Sequence, residues 1–301
     1  MAQMNATAGP TDSSRKAHRR WNTGHIMRRL PWWGAAAFLA VGCLLWVYPF
    51  VWMVSVSLKS STSVFADALS LIPSDGFHPE NYERAWTTAR FGTYLLNTIV
   101  ITVVSVALIV VRSCLAGYVL GTYAFRGRKL LIGVLVASIF APTGLTIIPI
   151  VQLSQQLGVT NTRLGIILAL AGGGHVLGTL LYAGYFETLP GELREAAVLD
   201  GAGFLTVFTR IMLPLANPVT ATVTVLAFLA NWNAFFLPLV FSLNSPSIRT
   251  ISVGMIAFMG QYSTDWPGMA AAAVISLLPI VALFIAMQRY LVEGVAGAVK
   301  S

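Results

Sequence analysis

The chain has 301 residues, of which 56% are hydrophobic and only 10% are charged, and its mean hydropathy is +0.74. A globular domain of this length cannot bury so much apolar surface, so the composition excludes an ordinary water-soluble protein and indicates a chain solvated by a lipid bilayer. The net charge of +8 therefore does not indicate a nucleic-acid partner, and we expect none.

Apolar stretches of about 20 residues, the length that crosses about 30 Å of hydrocarbon, recur along the chain. They predict an all-α, polytopic membrane protein with about six transmembrane helices over residues 31–301, preceded by a disordered basic tail over residues 1–30. The predicted spans are Trp32 to Leu58, Tyr94 to Leu120, Leu130 to Leu153, Leu164 to Phe186, Val219 to Leu239 and Met269 to Tyr290.

The 19 Lys and Arg residues are divided unequally between the two sides of the membrane. Most of them precede the first span, lie between spans two and three or four and five, or follow the sixth span. The positive-inside rule therefore predicts that both termini are cytoplasmic, which an even number of spans also requires.

The first span contains a Gly-Cys pair that is typical of lipoprotein cleavage sites, but its apolar run continues well beyond Cys43. We therefore expect a retained helix and not a cleaved signal peptide. Cys43 and Cys114 lie in different predicted spans, where cysteine usually packs as a small apolar residue. The sequence predicts neither a disulfide nor a metal site.

Prolines within the predicted spans remove backbone hydrogen bonds that lipid cannot replace, so the broken helices must contact protein or water. We expect such interruptions in spans three, five and six, at Pro142, Pro149, Pro238 and Pro279. Two Gly-x-x-x-Gly motifs, Gly117 to Gly121 and Gly174 to Gly178, favour close helix packing inside the bundle over a dimerisation contact.

Residues 188–217 form an amphipathic, polar interruption between spans four and five. Pro190 is placed to open a helix, and Asp200-Gly201 to stop it, because glycine accepts left-handed backbone angles. A second short helix from about Phe204 to Met212 is expected to end at Pro214. The segment therefore predicts a helix-turn-helix on the cytoplasmic face.

In this segment Glu195-Ala196-Ala197 is followed after three residues by Gly201, and nine residues later by Ile211-Met212-Leu213-Pro214. This spacing resembles the signature of the membrane-spanning permeases of bacterial ATP-binding-cassette importers. The resemblance implies that the helix carrying Glu195, Ala196, Ala197, Asp200 and Gly201 docks on a separate ATPase subunit and couples it to the spans.

ATP is expected to be used by partner subunits, because none of the four lysines follows a glycine as a phosphate-binding loop requires. We therefore expect no cofactor in this chain and no enzymatic activity of its own.

Further short matches look like the carbohydrate branch of the family, which contains the maltose-type permeases: Asn81-Tyr82, Asn97-Thr98, Phe125-Arg126-Gly127, Trp232-Asn233 and Gln288-Arg289-Tyr290. The resemblance implies a permease that forms half of the path of an ATP-driven sugar importer in the bacterial cytoplasmic membrane. The implied partners are a second homologous permease, two ATPase subunits and an extracytoplasmic sugar-binding protein. A homodimeric permease pair is the alternative. Residues Glu293 to Ser301 are either a second ATPase contact or a frayed terminus.

Polar side chains inside the spans are candidates for the substrate path, because they are costly in a membrane unless they face protein or water. These candidates are Asn97, His175, Asn231, Trp232 and Asn233. Asn231 and Asn233 are about 200° apart on a helix, so both cannot face one cavity equally. Helix packing, or for Trp232 the membrane interface, is the alternative for each. Arg112 is expected to snorkel or to pair with a partner subunit.

Two other classes of protein remain as alternatives. An ion-coupled secondary transporter of small solutes is disfavoured because no Asp or Glu lies in the predicted spans. A membrane-embedded enzyme is disfavoured because the sequence shows no paired acids, no metal-spaced His or Cys residues and no nucleophile motif. Dependence of transport on ATP distinguishes the importer from the secondary transporter.

Overall fold

The computed structural model describes residues 23–87, 90–173, 176–260 and 263–298, without the side chains of residues 23–33, 143 and 289–298. This part of the chain is helical, with a single β-bridge between Met259 and Thr264, so the all-α prediction is confirmed. The α-helices are α1 Thr23–Ser57, α2 Ser63–Ala66, α3 Glu80–Thr87, α4 Phe91–Thr122, α5 Arg128–Ile139, α6 Ile147–Gln156, α7 Arg163–Gly172, α8 Val176–Thr188, α9 Gly191–Leu199, α10 Phe204–Val207, α11 Leu213–Leu215, α12 Asn217–Trp232, α13 Phe236–Ser242, α14 Ile251–Gly254 and α15 Trp266–Ala298.

The chain divides into two compact units, residues 1–52 and 53–301. The first unit is described from Thr23 onward and contains the greater part of α1, which begins inside the segment expected to be a tail. The second unit contains the remaining helices. Single helices long and apolar enough to cross a membrane occur at Gly34–Ser57, Phe91–Thr122 and Trp266–Gln288.

The other predicted spans are bent or broken. Predicted span three consists of α5 and a second helical stretch over Gly144–Gln156, bent by 98°, and predicted span four consists of α7 and α8, bent by 49°. A third bend, of 78°, separates Phe204–Leu215 from α12. If each bent pair is one span, the described residues contain up to six spans, the number that the hydropathy pattern predicts. The third pair differs from predicted span five, because it joins α12 to the preceding Phe204–Leu215 and not to α13.

The prolines do not all act as the sequence predicts. Pro142 lies at the break of span three, whereas Pro149 and Pro238 lie in the first turns of α6 and α13, where a missing N–H leaves no bond unmade. Pro279 was expected to interrupt span six, and this expectation is wrong, since α15 continues through it. Membrane helices tolerate an internal proline when neighbouring groups satisfy the freed carbonyl.

The second unit is built around α4, which packs most extensively on α8 and also contacts α12 and α7. Two glycines permit this close approach. A Cβ at Gly117 would lie 2.3 Å from Cβ of Tyr182, and one at Gly121 would lie 2.3 Å from the carbonyl oxygen of Ala183. The first Gly-x-x-x-Gly motif therefore packs inside the bundle, as predicted.

Buried hydrogen bonds fix the loop that precedes α4. Lys59 is fully buried, and its Nζ donates to the carbonyl oxygens of Asp67 at 2.8 Å and Ser70 at 2.7 Å. The side-chain amide of Asn81 donates to the carbonyls of Ser57 and Lys59, both at 2.9 Å. Burial makes these bonds necessary, because an unpaired charge or carbonyl in such a place is costly.

An ion pair joins this loop to the last helix. Arg84 in α3 donates through two nitrogens to the two carboxylate oxygens of Asp265, each at 2.9 Å, and Asp265 also accepts from the backbone N–H of Gly268 in α15. Lys59, Asn81, Arg84 and Asp265 are called the polar end below. In the same loop, the Ser60 hydroxyl donates to Asp75 and is the largest cause of the lowered pKa of that carboxyl.

Candidate coupling segment and substrate path

The helix predicted to carry the coupling motif is present as α9, and it follows Pro190 directly. It ends where Gly201 adopts a positive φ of 81°. Three backbone N–H groups close this end: Asp200 donates to Ala196, Gly201 to Val198 and Ala202 to Ala197, at 3.0, 3.0 and 2.9 Å. These bonds satisfy carbonyls that a helix end otherwise leaves free. The structure therefore brings the predicted coupling residues together on one helix and its terminal turn.

The second half of the segment differs from the prediction at its end. The predicted helix from Phe204 is present as α10, but Phe208–Met212 forms a π-helical turn and α11 continues to Leu215. Pro214 therefore does not end the helix, since it directly follows the π-helical turn and the chain stays helical to Leu215. The chain instead bends after Leu215, before α12.

One side of α9 faces outward. Ala197 is buried, whereas Glu195, Ala196 and Asp200 are exposed. Leu199 is 88% exposed, although it is apolar. Leu193 and Val198 of the same helix are also exposed, by 42% and 56%, and a group of exposed apolar side chains is typical of a surface that another protein covers. Sequence reasoning did not single out Leu199, since a leucine on an amphipathic helix is ordinarily assigned to the core.

Arg194 fastens α9 to the end of α4. Its guanidinium donates to the carbonyl oxygen of Thr122 at 3.1 Å and lies 5.3 Å from the ring centroid of Tyr123. It is also 3.8 Å from the Glu195 carboxylate. A planar guanidinium suits this combination of stacking and hydrogen bonding. No local pattern indicates this role, apart from a basic residue beside the Glu-Ala-Ala motif.

Aromatic rings fill the space behind this contact. Tyr118 of α4 is fully buried, and its ring lies 5.1–5.7 Å, centroid to centroid, from four other rings. These rings belong to Tyr123, Phe186, Phe204 and Phe208, which come from the end of α4, from α8, from α10 and from the π-helical turn. These five residues are called the aromatic end below. The aromatic end connects the coupling segment to the two most closely packed spans.

Asn97, predicted to line a substrate path, lies near the other end of α4 and is fully buried. Its amide nitrogen donates to the carbonyl oxygens of Ser247 and Arg249, both at 2.8 Å. The next residue, Thr98, accepts from the backbone N–H of Ile251 at 2.8 Å. Both side chains therefore hold a turn, some 150 residues away in sequence, against α4.

The three candidates at the end of α12 face different surroundings. Asn231 is buried and donates to the carbonyl oxygen of Ala227, whereas Asn233 is exposed and donates to that of Leu229. Trp232 is 3% exposed and stacks on Phe228 at 5.1 Å. The expectation that the two asparagines face different ways is confirmed. His175 lies outside the described residues, and so do Gly174 and the side chains of Glu293 to Ala298.

No group of three or more His, Cys, Asp or Glu residues that could hold a metal ion occurs in the described ranges. The two cysteines are free, with Cys43 exposed and Cys114 buried.

Comparison with known proteins identifies the family. The family described as "Binding-protein-dependent transport system inner membrane component" matches residues 113–297. The diacetylchitobiose uptake system permease protein NgcG of Streptomyces coelicolor is 32% identical over 88% of this chain and 86% of its own length. The trehalose/maltose transport system permease protein MalG of Thermococcus litoralis is 32% identical over 91% and 98%.

A solved structure shares the fold. It is a chain of a bacterial ABC transporter involved in the import of the acidic polysaccharide alginate, with a TM-score of 0.75 and 22% identity over 90% of this chain and 99% of that one. The match to the family and the identity to its permeases extend over most of the chain. The chain therefore belongs to the family of binding-protein-dependent transport system inner membrane components, and it is a membrane permease subunit of an ABC importer, which works with an ATPase and a binding protein.

Proposed function

We propose that the chain is one of two homologous permeases in a sugar importer with two ATPase subunits and an extracytoplasmic sugar-binding protein. The relatives named for diacetylchitobiose and for trehalose and maltose support sugar as the substrate class. ATP binding closes the ATPases, the coupling helices move with them, and the spans alternate between two openings.

The observation that carries the proposal is the outward face of α9. Leu199 is the most exposed large apolar residue of this helix, and it is flanked by the exposed Ala196 and Asp200. A small residue lets a partner approach the backbone, and an exposed leucine supplies an apolar anchor. We assign this face to a groove on the ATPase.

Arg194 and the aromatic end provide the route from α9 to the spans. Because Arg194 bonds to the last residue of α4, a shift of α9 displaces that end of α4. The Tyr118 ring then passes the displacement to α8 through Phe186. Packed aromatic rings transmit such movements because a dense interior has little free space to absorb them.

The same contact supports a cytoplasmic position for α9. Arg194 places α9 beside the loop between α4 and α5, which carries Arg126 and leads to Arg128 and Lys129 in the first turn of α5. Loops rich in Lys and Arg remain on the cytoplasmic side. Both termini are then cytoplasmic in the proposed arrangement. Of the described substrate-path candidates, Asn233 is the exposed one and is the one we retain for contact with the sugar.

Leu199→Glu tests the docking face, with Leu69→Glu as the matched control. Leu69 is 85% exposed but lies in the loop before α3, far from α9 in sequence. We expect Leu199→Glu to weaken co-purification with the ATPase by about tenfold or more, since hot-spot residues contribute on this scale, and to abolish ATP-driven sugar uptake. Leu69→Glu should retain the ATPase.

Equal ATPase retention by the two variants would contradict the docking assignment. Sugar uptake into vesicles that lack ATP would contradict the importer itself and would favour the secondary transporter.

A further inference from the structure

A cavity of about 660 Å³ lies among α4, α5, α7 and α8, apart from the coupling segment. Its walls are mainly aliphatic, and they include Leu115 and Val119 of α4 and Leu131 and Leu135 of α5. Arg112 of α4 is the one charged residue among those that line it. The cavity therefore combines an apolar volume the size of a ligand site with a single positive charge.

Arg112 has little to compensate its charge within the chain. The side chain is exposed, and its guanidinium makes a long hydrogen bond of 3.4 Å to the carbonyl oxygen of Gly172, in the last turn of α7. It takes part in no ion pair among the described residues. Arg112 lies about 15 Å along α4 from the end at Thr122, by the helical rise. A charge at such a depth indicates an anionic partner outside the chain.

More positive charge lies where the cavity meets the loop between α4 and α5. Phe125 lines the cavity, and the next residue, Arg126, is exposed, as is Lys129 at the start of α5. Neither side chain is in an ion pair within the described part of the chain, and Arg128 makes only a 3.4 Å contact with Glu187. Basic pockets between transmembrane helices are typical sites for anionic lipid headgroups.

We propose that this cavity binds an anionic phospholipid of the leaflet that faces the loop between α4 and α5. Arg126 and Lys129 hold the phosphate, Arg112 extends toward the headgroup from below, and one acyl chain lies along Leu115 and Leu131. The lipid would fill the space between α5 and the α4–α8 pair, which are the spans nearest to the coupling segment.

A sugar fits this cavity less well than a lipid. Its hydroxyl groups need hydrogen-bond partners when they leave water. Among the lining residues, Thr179 is the one with a side-chain hydroxyl, and the carbonyls of Gly172 and Gly173 are the other acceptors at the helix break. Aliphatic walls instead match an acyl chain, and the charge matches a phosphate.

Native mass spectrometry of the complete transporter, purified from bilayers with equal phosphatidylglycerol and phosphatidylcholine, tests the proposal. We expect retained phosphatidylglycerol in the wild type, about fivefold less in Arg112→Gln, and a further loss when Arg126→Gln and Lys129→Gln are combined with it. Arg112→Lys should keep the lipid because it keeps the charge. Arg163→Gln, an exposed arginine at the start of α7, is the matched control and should resemble the wild type.

A second measurement locates the lipid. Leu131→Trp places a fluorophore on the cavity wall, and its emission, corrected for that of the wild type, should be quenched by phosphatidylglycerol with brominated acyl chains more than by brominated phosphatidylcholine. Equal retention in Arg112→Gln and Arg112→Lys would overturn the proposal. Displacement of the lipid by sugar would also overturn it, because the cavity would then be part of the substrate path. A third contradicting result is that Leu131→Trp is not quenched while Leu131→Cys cross-links to the second permease, because the cavity would then be covered by that protein.

Discussion

The segments next to the two ends of α4 are held together by different kinds of interaction. At the polar end, directed hydrogen bonds join distant segments, as when Arg84 meets Asp265 or Lys59 meets the carbonyls of Asp67 and Ser70. At the aromatic end, four packed rings surround Tyr118, and the directional contact to α9 comes mainly from Arg194. The first arrangement fixes one geometry, whereas the second fills space without prescribing it.

This difference suits a transporter that moves from one side. Hydrogen bonds weaken steeply away from their preferred distances and angles, so the segments that they join are expected to move together as a rigid block. Aromatic rings can slide over one another while they remain in contact, because offset and edge-to-face arrangements have similar energies. The aromatic end can therefore follow α9 while the polar end keeps the helices in register.

The close packing next to the aromatic end is the feature whose loss should have the largest effect. In Gly117→Val the new side chain would overlap Tyr182 and the backbone of α8, and forced overpacking typically costs up to about 3 kcal/mol. Gly133→Val is the control, because Gly133 is helical and has no neighbour within 4 Å of a Cβ. The free energy of unfolding of both variants is measured in mixed micelles. Equal values for the two would mean that α4 and α8 do not approach closely at Gly117.

The polar end should respond less, and unequally on the two sides of its ion pair. The side chains of Arg84 and Asp265 are 41% and 29% exposed, so Arg84→Ala should cost only about 1 kcal/mol. Asp265→Ala should cost about 2 kcal/mol, because the carboxylate also caps α15 through the N–H of Gly268. Unfolding of the single and double variants in the same micelles checks this. Arg84 also donates to Oδ1 of Asn81 at 2.8 Å, so the double variant should be slightly less stable than Asp265→Ala, and a double variant as stable as Arg84→Ala would contradict the capping role of Asp265.

The sequence predicts this molecule well where a local pattern decides the structure. The hydropathy repeat predicts the number of spans, and the Glu-Ala-Ala spacing predicts α9 and the turn at Gly201, since both depend on neighbours within a few residues. It also predicts that Asn231 and Asn233 face apart, because that follows from the helical repeat alone.

Prediction is poorer where distant segments meet. Nothing near Asn97 in sequence indicates that its amide holds Ser247 and Arg249, about 150 residues away. A local irregularity is missed as well, because the hydropathy pattern does not indicate the π-helical turn that precedes Pro214. Polarity in a span thus predicts a partner but does not distinguish a sugar from a backbone carbonyl.

Arg194 provides the finest test of how the two ends differ, because its removal should hardly alter stability. Loss of one cation–π contact and one partly exposed hydrogen bond costs about 1 kcal/mol, no more than Arg84→Ala. The ATPase should still bind Arg194→Ala, since Leu199 remains on the outer face of α9, but ATP hydrolysis stimulated by the loaded binding protein should fall severalfold while the basal rate remains. Arg194→Lys should recover part of the stimulation, because a lysine retains the charge but not the planar fork.

Arg210→Ala, which removes an exposed arginine in the π-helical turn, is the control on the same segment. If transporters with Arg194→Ala and with Arg210→Ala show the same stimulated rate of ATP hydrolysis, movement must reach α4 through the aromatic rings alone. The contact of Arg194 with Thr122 would then hold α9 in place without transmitting its movement.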